Sequence, residues 1–151
     1  MIKIITVGQI KEKYLQDAIN EYKKRLSKYT NIEVIEVKDE GLVEEVKAIK
    51  LEAEKIKKHI NDRDYIVTLE IEGKQMTSVG FANKIDNILI ENSNIDFIIG
   101  GSYGLSDEIK NMSRLHLSFS KMTFPHQLFR VLLLEQIYRA YKINNNESYH
   151  K

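Results

Sequence analysis

The sequence predicts an α/β fold in which a mostly parallel sheet is flanked by helices. Short apolar runs rich in β-branched residues alternate with longer segments in which apolar residues recur every three or four positions. Strands separated by helices of this length favour parallel βαβ units. At 151 residues, the chain fits a single domain over residues 1–151.

The first half of the chain supplies three predicted strands and two predicted helices. The strands are Ile2–Val7, Ile32–Val37 and residues 65–70, and residues 71–74 are expected to turn the chain out of the third strand. The first helix is expected to bury one face, made of Tyr14, Leu15, Ala18, Ile19, Tyr22 and Leu26. The second is expected over residues 43–60, with a buried stripe of Val46, Ile49, Ala53, Ile56 and Ile60.

The second half continues the alternation. A third helix is marked by Phe81, Ile85, Ile88 and Leu89, and Ile95–Ile99 is so apolar that it is predicted to be a central strand covered on both faces. Ser106 and two acidic residues start a short helix, and Leu115–Ser118 is the fifth strand. The last helix is expected to begin with Pro125 just inside it and Thr123 as its cap, and to end at residues 144–146.

The last helix is unusual because its apolar side chains point in almost every direction over residues 128–141. A surface helix normally has one apolar stripe. We therefore expect this helix to form a self-complementary interface in a homodimer. The alternative is a helix wedged centrally within one monomer.

Composition narrows the possible partners. The 23 basic and 22 acidic residues give a net charge of +1, so any RNA contact must use a local patch. No cysteine is present and the four histidines show no metal spacing, so no metal is expected. The sequence has no apolar window long enough to span a membrane and no charged leader followed by an apolar stretch. A cytoplasmic protein without a membrane partner is predicted.

Two groups of basic residues could form such a local patch. The amino-terminal group comprises Lys11, Lys13, Lys23, Lys24, Arg25 and Lys28, and the carboxy-terminal group comprises Lys121, Arg130, Arg139, Lys142 and Lys151. For the amino-terminal group, an ordinary solvated helix face is the favoured interpretation.

Two loops in the last third of the chain are candidates for ligand binding. Glycines at 100, 101 and 104 let the main chain approach a ligand closely, although a plain strand-to-helix turn would also explain them. The loop at 119–124 places aromatic residues and Met122 around Ser120, Lys121 and Thr123. An apolar slot with a few polar anchors is typical of a small-molecule pocket, and an adenine-bearing ligand would suit it.

These motifs resemble the ribosomal RNA large-subunit methyltransferase H family, which belongs to the SPOUT class. The resemblance is carried by Ile-Gly-Gly-Ser-Tyr-Gly-Leu at 99–105, Leu-Ser-Phe-Ser-Lys-Met-Thr-Phe-Pro-His at 117–126, Glu-Gln-Ile-Tyr-Arg-Ala at 135–140 and Tyr-His-Lys at 149–151. It extends over the whole chain. It implies a SPOUT-type α/β knot in which the carboxy-terminal segment threads a trefoil knot, a feature that general folding rules disfavour.

The resemblance also implies a function and a set of site residues. Family members are homodimers that bind S-adenosyl-L-methionine in the knot and methylate N3 of a pseudouridine in 23S rRNA within the assembled ribosome. Carried over by position, the cofactor contacts are Leu69, Gly100, Phe119, Ser120, Lys121, Met122, Thr123 and Phe124. No metal is required.

The target nitrogen carries a proton, so a nearby group must accept that proton or stabilise the anion. The candidates for this catalytic role are His126, Arg139, Tyr149, His150 and Lys151. The tail could cross to the partner subunit and complete the RNA site. As alternatives, His126 could bond main chain at the helix start, Arg139 could simply pair with Glu135, and the tail could be disordered.

Two other functions stay open at this point. One is a non-catalytic ribosome-binding or assembly factor that retains the cofactor fold, and the other is an α/β domain that binds a different nucleotide. Cofactor binding without methyl transfer would indicate the first, and binding of a nucleotide instead of the cofactor would indicate the second.

Overall fold

The computed structural model describes residues 1–151 as five strands and five helices in regular alternation. The strands are β1 (Ile2–Val7), β2 (Ile32–Val37), β3 (Tyr65–Gln75), β4 (Ile95–Ile99) and β5 (Leu115–Ser118). The helices are α1 (Lys13–Leu26), α2 (Glu45–Lys57), α3 (Ser78–Glu91), α4 (Asp107–Met112) and α5 (His126–Asn144). All strand pairs are parallel, in the order β2-β1-β4-β3-β5. The predicted α/β class and parallel sheet are confirmed.

The sheet has a hydrophobic core on each face. Helices α1, α3 and α5 contribute to the larger core, whereas α2 and α4 contribute to the smaller one. Strand β4 lies between β1 and β3, and all five of its residues are buried. It alternates between the cores, with Phe97 in one and Ile98 in the other. The prediction of a central strand covered on both faces is therefore confirmed.

Strand β3 is longer than predicted, because it continues through the expected turn at 71–74. Its pairing with β5 breaks after Leu69 and resumes at Lys74, so the intervening residues bulge out of the ladder. Gly73 allows this arrangement, since a Cβ there would lie 2.7 Å from the main-chain oxygen of His116. The glycine that suggested a turn instead permits close packing of β3 on β5.

Helix boundaries and faces differ from the predictions in a few places. Tyr14, expected in the core, is 70% exposed, and Val46 is 79% exposed. The buried face of α1 is formed instead by Leu15, Ile19 and Leu26, and that of α2 by Ala48, Glu52, Ala53 and Ile56. Pro125 occupies the cap position itself with an extended ψ of 135°, and no side chain caps α5, so the role predicted for Thr123 is wrong.

Helix α5 lies centrally within the monomer, where it packs against both α1 and α3. Its buried residues are Arg130, Leu133, Leu134, Ile137, Tyr138 and Ala140. Contacts within one chain thus account for much of its apolar character. A half-exposed strip remains on the outer side, which Leu128, Val131, Leu132 and Gln136 form at helical spacing.

Candidate functional site

A cleft of about 450 Å³ lies at the carboxyl ends of β3, β4 and β5. The predicted cofactor residues that line it are Leu69, Gly100, Phe119, Ser120, Met122, Thr123 and Phe124. Lys121 belongs to the same loop, but it is exposed and does not line the cleft. The structure therefore brings together seven of the eight predicted residues, whose role stays a prediction.

The glycine loop after β4 forms one wall of the cleft. Gly101 and Gly104 form an isolated antiparallel bridge, and the Gly104 N–H donates to the Gly101 carbonyl over 3.0 Å. Gly104 has a φ of +79°, which side-chain-bearing residues rarely adopt. A Cβ at Gly100 would lie 2.8 Å from the carbonyl group of Gly104. The tightness of this turn explains the glycines and leaves main-chain groups facing the cleft.

Aromatic rings also line the cleft. Phe119 contacts Phe129 edge-on at 4.9 Å between centroids, and Phe124 stacks on Phe129 at 6.1 Å. The loop itself is held by Ser120, whose hydroxyl accepts from the Met122 N–H over 2.9 Å. Such rings offer a flat apolar surface on which a heteroaromatic ring can stack.

Charged side chains that the sequence analysis did not select also line the cleft: Glu70, Glu72 and Lys110. The carboxylate of Glu70 accepts from the Thr68 hydroxyl over 2.6 Å and contacts His116 Nδ1. The sequence signal that could have identified Glu70 and Glu72 is that both lie at the end of the third predicted strand. Residues 71–74 were instead interpreted as a turn. These groups give the cleft both signs of charge.

His126 lies at the start of α5 and also lines the cleft. Burial, and secondarily the positive charge of Arg130, lower the pKa of His126. The ring is therefore neutral near pH 7.

Arg130, which was noted only as a basic residue, anchors α5 to the sheet. It is 1% exposed, and its guanidinium donates to the carbonyls of Val7 and Gly8 over 3.1 and 2.9 Å. It also donates to the carboxylate of Glu36 over 2.7 Å. The start of α5, including His126, is thereby fixed beside the ends of β1 and β2.

The remaining candidates form a separate group at the other end of α5, outside the cleft. Arg139 Nε donates to Glu135 over 2.8 Å, and the Tyr149 hydroxyl donates to the same carboxylate over 2.5 Å. Arg139 Nη1 lies 3.1 Å from His150 Nδ1. The tail is thus packed on α5 rather than detached, and Lys151 ends it in an exposed position. The pairing of Arg139 with Glu135 that was considered as an alternative is present.

Tyr149 is a poor proton acceptor in this setting. Its hydrogen bond to Glu135, together with burial, raises the pKa of Tyr149 to about 12. The phenol therefore keeps its proton at neutral pH and acts as a donor.

Neither a metal site nor a membrane helix is found. Among the side chains, there is no group of three or more histidines, aspartates or glutamates that could hold a metal ion. None of the helices combines the length and apolar character needed to cross a membrane.

Comparisons with known proteins agree with this geometry. A family model described as "Predicted SPOUT methyltransferase" matches residues 1–150. The chain is 52% identical to a ribosomal RNA large subunit methyltransferase H from Clostridium acetobutylicum and 54% identical to one from Bifidobacterium adolescentis, with 99% of each chain covered. Among solved structures, a probable methylase family protein from Haemophilus influenzae Rd KW20 is similar in fold, with a TM-score of 0.62 and 15% sequence identity. The match covers 99% of this chain and 70% of the Haemophilus chain. That last likeness concerns the fold alone.

Proposed function

Because this chain belongs to the SPOUT methyltransferase family and closely resembles ribosomal RNA large subunit methyltransferases H, we propose that it transfers a methyl group from S-adenosyl-L-methionine to RNA. The finer proposal is that the acceptor is N3 of a pseudouridine in 23S rRNA within the assembled ribosome. The observation that carries the methyl-transfer proposal is the cleft at the carboxyl ends of β3, β4 and β5, which the predicted cofactor loops line together. The choice of acceptor follows from the family resemblance. A cytoplasmic protein acting as one domain over residues 1–151 fits this role.

The residues of the cleft fit S-adenosyl-L-methionine. The rings of Phe124 and Phe129 offer an apolar surface for adenine. Carboxylates from Glu70 and Glu72 complement the positive sulfonium and ammonium groups, and Lys110 complements the carboxylate. The main chain at Gly104 is accessible to a ligand, because a Cβ at this position would meet nothing within 4 Å.

The chain's own residues have two tasks in this reaction. When bound, the cofactor supplies a methyl group on a sulfonium, and the electron pair of the breaking carbon–sulfur bond stays on sulfur. The cleft must align that methyl with the N3 lone pair and exclude water. His126 is placed to accept the N3 proton, because its ring is neutral and lines the cleft.

We also propose that the carboxy-terminal segment threads the trefoil knot of the SPOUT class. The support is that the 119–124 loop, the loop after β4 and the bulge of β3 all line one cleft, while α5 returns across the sheet to pack on α1 and α3. Tracing the main chain through residues 119–144 in an experimental map tests this proposal.

A homodimer formed through the outer strip of α5 would complete the site. About thirteen residues of helix separate His126 from Arg139, which at 1.5 Å per residue is roughly 20 Å. The tail therefore cannot reach the cleft of its own chain while it packs on α5. In an antiparallel α5-to-α5 interface, the tail of one subunit would approach the cleft of the other.

Subunit mixing tests whether the tail acts across the dimer. One subunit carries Gly100→Val, which places side-chain atoms against the Gly104 carbonyl group, and the other lacks residues 149–151. Each homodimer should be inactive, whereas the mixed dimer should recover one working site. If the mixture stays inactive while both variants remain folded and dimeric, the tail does not act in trans.

The dimer itself is tested by Leu128→Glu, with Ile90→Glu as a matched control. Leu128 is 40% exposed on the outer strip, and Ile90 is 77% exposed on α3. Sedimentation equilibrium should show monomers for the first variant and dimers for the second. Dimers in both variants would place the interface elsewhere.

The enzyme proposal is tested with ribosomes from cells that lack the modification. We expect incubation with the protein and S-adenosyl-L-methionine to add one methyl group, which mass spectrometry of the digested RNA locates on the pseudouridine. Calorimetry measures cofactor binding separately. Binding without methylation would support the assembly-factor function, and binding of a different nucleotide alone would support the nucleotide-binding function.

A further inference from the structure

We infer that Glu70 recognises the sulfonium charge of S-adenosyl-L-methionine, and that Thr68 and His116 are positioning residues that orient its carboxylate. The inference rests on the proposed methyl transfer and assigns one group of that cofactor to one side chain of the cleft. It means that the chain distinguishes the methyl donor from its product, S-adenosyl-L-homocysteine, by charge.

The ionisable side chains of the cleft leave a surplus of one negative charge. Glu70, Glu72 and Lys110 line it, and the ring of His126 is neutral. S-adenosyl-L-methionine carries an ammonium, a carboxylate and a sulfonium, so it has one net positive charge. Its product has a neutral thioether in place of the sulfonium and therefore no net charge. The charge of the cleft complements the donor better than the product.

The two carboxylates differ in exposure, which assigns a different group of the ligand to each. Glu72 is exposed, and together with Lys110 it can complement the opposite charges of the amino-acid end. The side chain of Glu70 is only 18% exposed, so water screens its charge less. A sulfonium has no N–H group with which to form hydrogen bonds, and charge alone must bind it. Glu70 is the carboxylate better suited to that task.

Two donors hold the carboxylate of Glu70 by a single oxygen. The Thr68 hydroxyl donates to Oε2 over 2.6 Å, and His116 Nδ1 contacts the same Oε2. An ionised carboxylate only accepts hydrogen bonds, so His116 Nδ1 carries a proton in this contact. Because both donors act on Oε2, the other oxygen, Oε1, is the one that can meet a ligand.

The strands that carry the two donors fix their positions. Thr68 is fully buried, and its N–H donates to the Ser113 hydroxyl over 3.2 Å. That hydroxyl in turn donates to the Leu115 carbonyl over 2.8 Å. His116 lies opposite Thr68 in the pairing of β3 with β5. The ladder therefore sets the geometry of both donors just before the bulge of β3 begins.

Calorimetry on the full-length protein at pH 7.5 tests the role of Glu70, with Glu72→Gln as the matched substitution. We expect the unmodified protein to prefer the donor over the product by about tenfold, and Glu70→Gln to lose that preference through weaker binding of the donor alone. Glu72→Gln should weaken both ligands by a similar factor, since both carry the ammonium. The analogue sinefungin, which has a charged amine in place of the sulfonium, should behave as the donor does.

Substitutions of His116 test the positioning role. Asparagine retains an N–H near the position of Nδ1, whereas alanine has none. We expect His116→Ala to weaken donor binding by about threefold without affecting the product, and His116→Asn to recover the affinity. His59→Asn, at an exposed histidine after α2, is the control and should change neither affinity. Equal losses for donor and product in His116→Ala, with no recovery in His116→Asn, would reduce His116 to a structural role and contradict the inference.

These measurements separate the inference from the proposed function. If the unmodified protein binds donor and product equally, or if Glu70→Gln weakens both equally while its melting temperature is unchanged, Glu70 does not recognise the sulfonium, although methyl transfer to the ribosome still stands. If the unmodified protein binds neither ligand and methylates nothing, the proposed function fails and the inference fails with it.

Discussion

The two ends of the sheet both bury ionisable side chains, but they use them differently. At the amino end, Lys3 of β1, Asp64 before β3 and Asp96 of β4 form a closed cluster, with Lys3 Nζ 2.9 Å from Asp64 and 3.5 Å from Asp96. At the carboxyl end, Arg130 comes from α5 and bonds main-chain carbonyls at the end of β1. The first cluster joins neighbouring strands, whereas the second joins a distant helix to the sheet.

This difference indicates which buried charge serves the site. The amino-terminal cluster lies at the end of the sheet opposite the cleft, and neither carboxylate oxygen of Asp96 in it has a hydrogen-bond partner. Arg130 sets the position of the helix start that carries His126 into the cleft. Removing the positive charge of Lys3 or of Arg130 should cost stability, but only the loss of Arg130 should also disturb cofactor binding.

The largest effect is expected from Arg130→Met. The substitution removes the donor for two carbonyls and for the buried part of Glu36, and breaking such a buried pair costs about 3–5 kcal/mol. Urea unfolding measures the loss, and calorimetry should show weaker binding of S-adenosyl-L-methionine. Lys13→Met is the control. Lys13 pairs with Asp17 on the exposed surface, so the substitution should change stability by less than about 0.5 kcal/mol. A loss of stability with unchanged cofactor affinity would contradict the positioning role.

The contribution of Arg130 also shows where sequence reasoning reaches its limit. The apolar run of β4 was enough to predict a central strand, because burial on both faces leaves a local signature. The partner of Arg130 at Val7 lies 123 residues earlier, and no local pattern encodes that contact. From the sequence, the arginine could only be named as one of the basic residues of the carboxy-terminal group.

The candidate site likewise has some features that the local sequence predicts and others that depend on tertiary contacts. The loop at 119–124 and the glycines at 100–104 were predictable, because composition alone indicates an apolar slot and a tight turn. The acidic residues at 70 and 72 were missed, because β3 continues beyond the predicted end through a bulge that depends on Gly73 packing against β5. Pairing between strands decides such an extension, and pairing is a tertiary property.

The amino-terminal cluster is tested by Asp96→Asn. Burial, followed by the proximity of Asp64, raises the pKa of Asp96 to about 8. The folded chain thus holds a proton that the unfolded chain loses above about pH 4. The stability that this proton gives is complete below pH 4 and is lost as the pH rises toward 8.

In Asp96→Asn, the side chain is neutral at every pH. Urea unfolding between pH 5 and pH 9 should therefore show a smaller fall than in the unmodified protein, with the variant more stable by about 1–3 kcal/mol at pH 9. Cofactor affinity should not change. A variant whose stability declines as steeply as that of the unmodified protein would mean that Asp96 is already ionised in the folded state.

The smallest effect is expected from Val46→Gln, which tests whether the carboxyl end of the sheet is functional outside the cleft. Val46 lies in the first turn of α2, the helix that follows the loop after β2, and is 79% exposed. A polar replacement there should change stability by less than about 0.5 kcal/mol and leave cofactor affinity unchanged. Ile56→Ala in the same helix, where the side chain is 1% exposed, should cost about 2–5 kcal/mol. Weakened cofactor binding in Val46→Gln would extend the site to the loop between β2 and α2, because the side chain supplies no core packing whose loss could act at a distance.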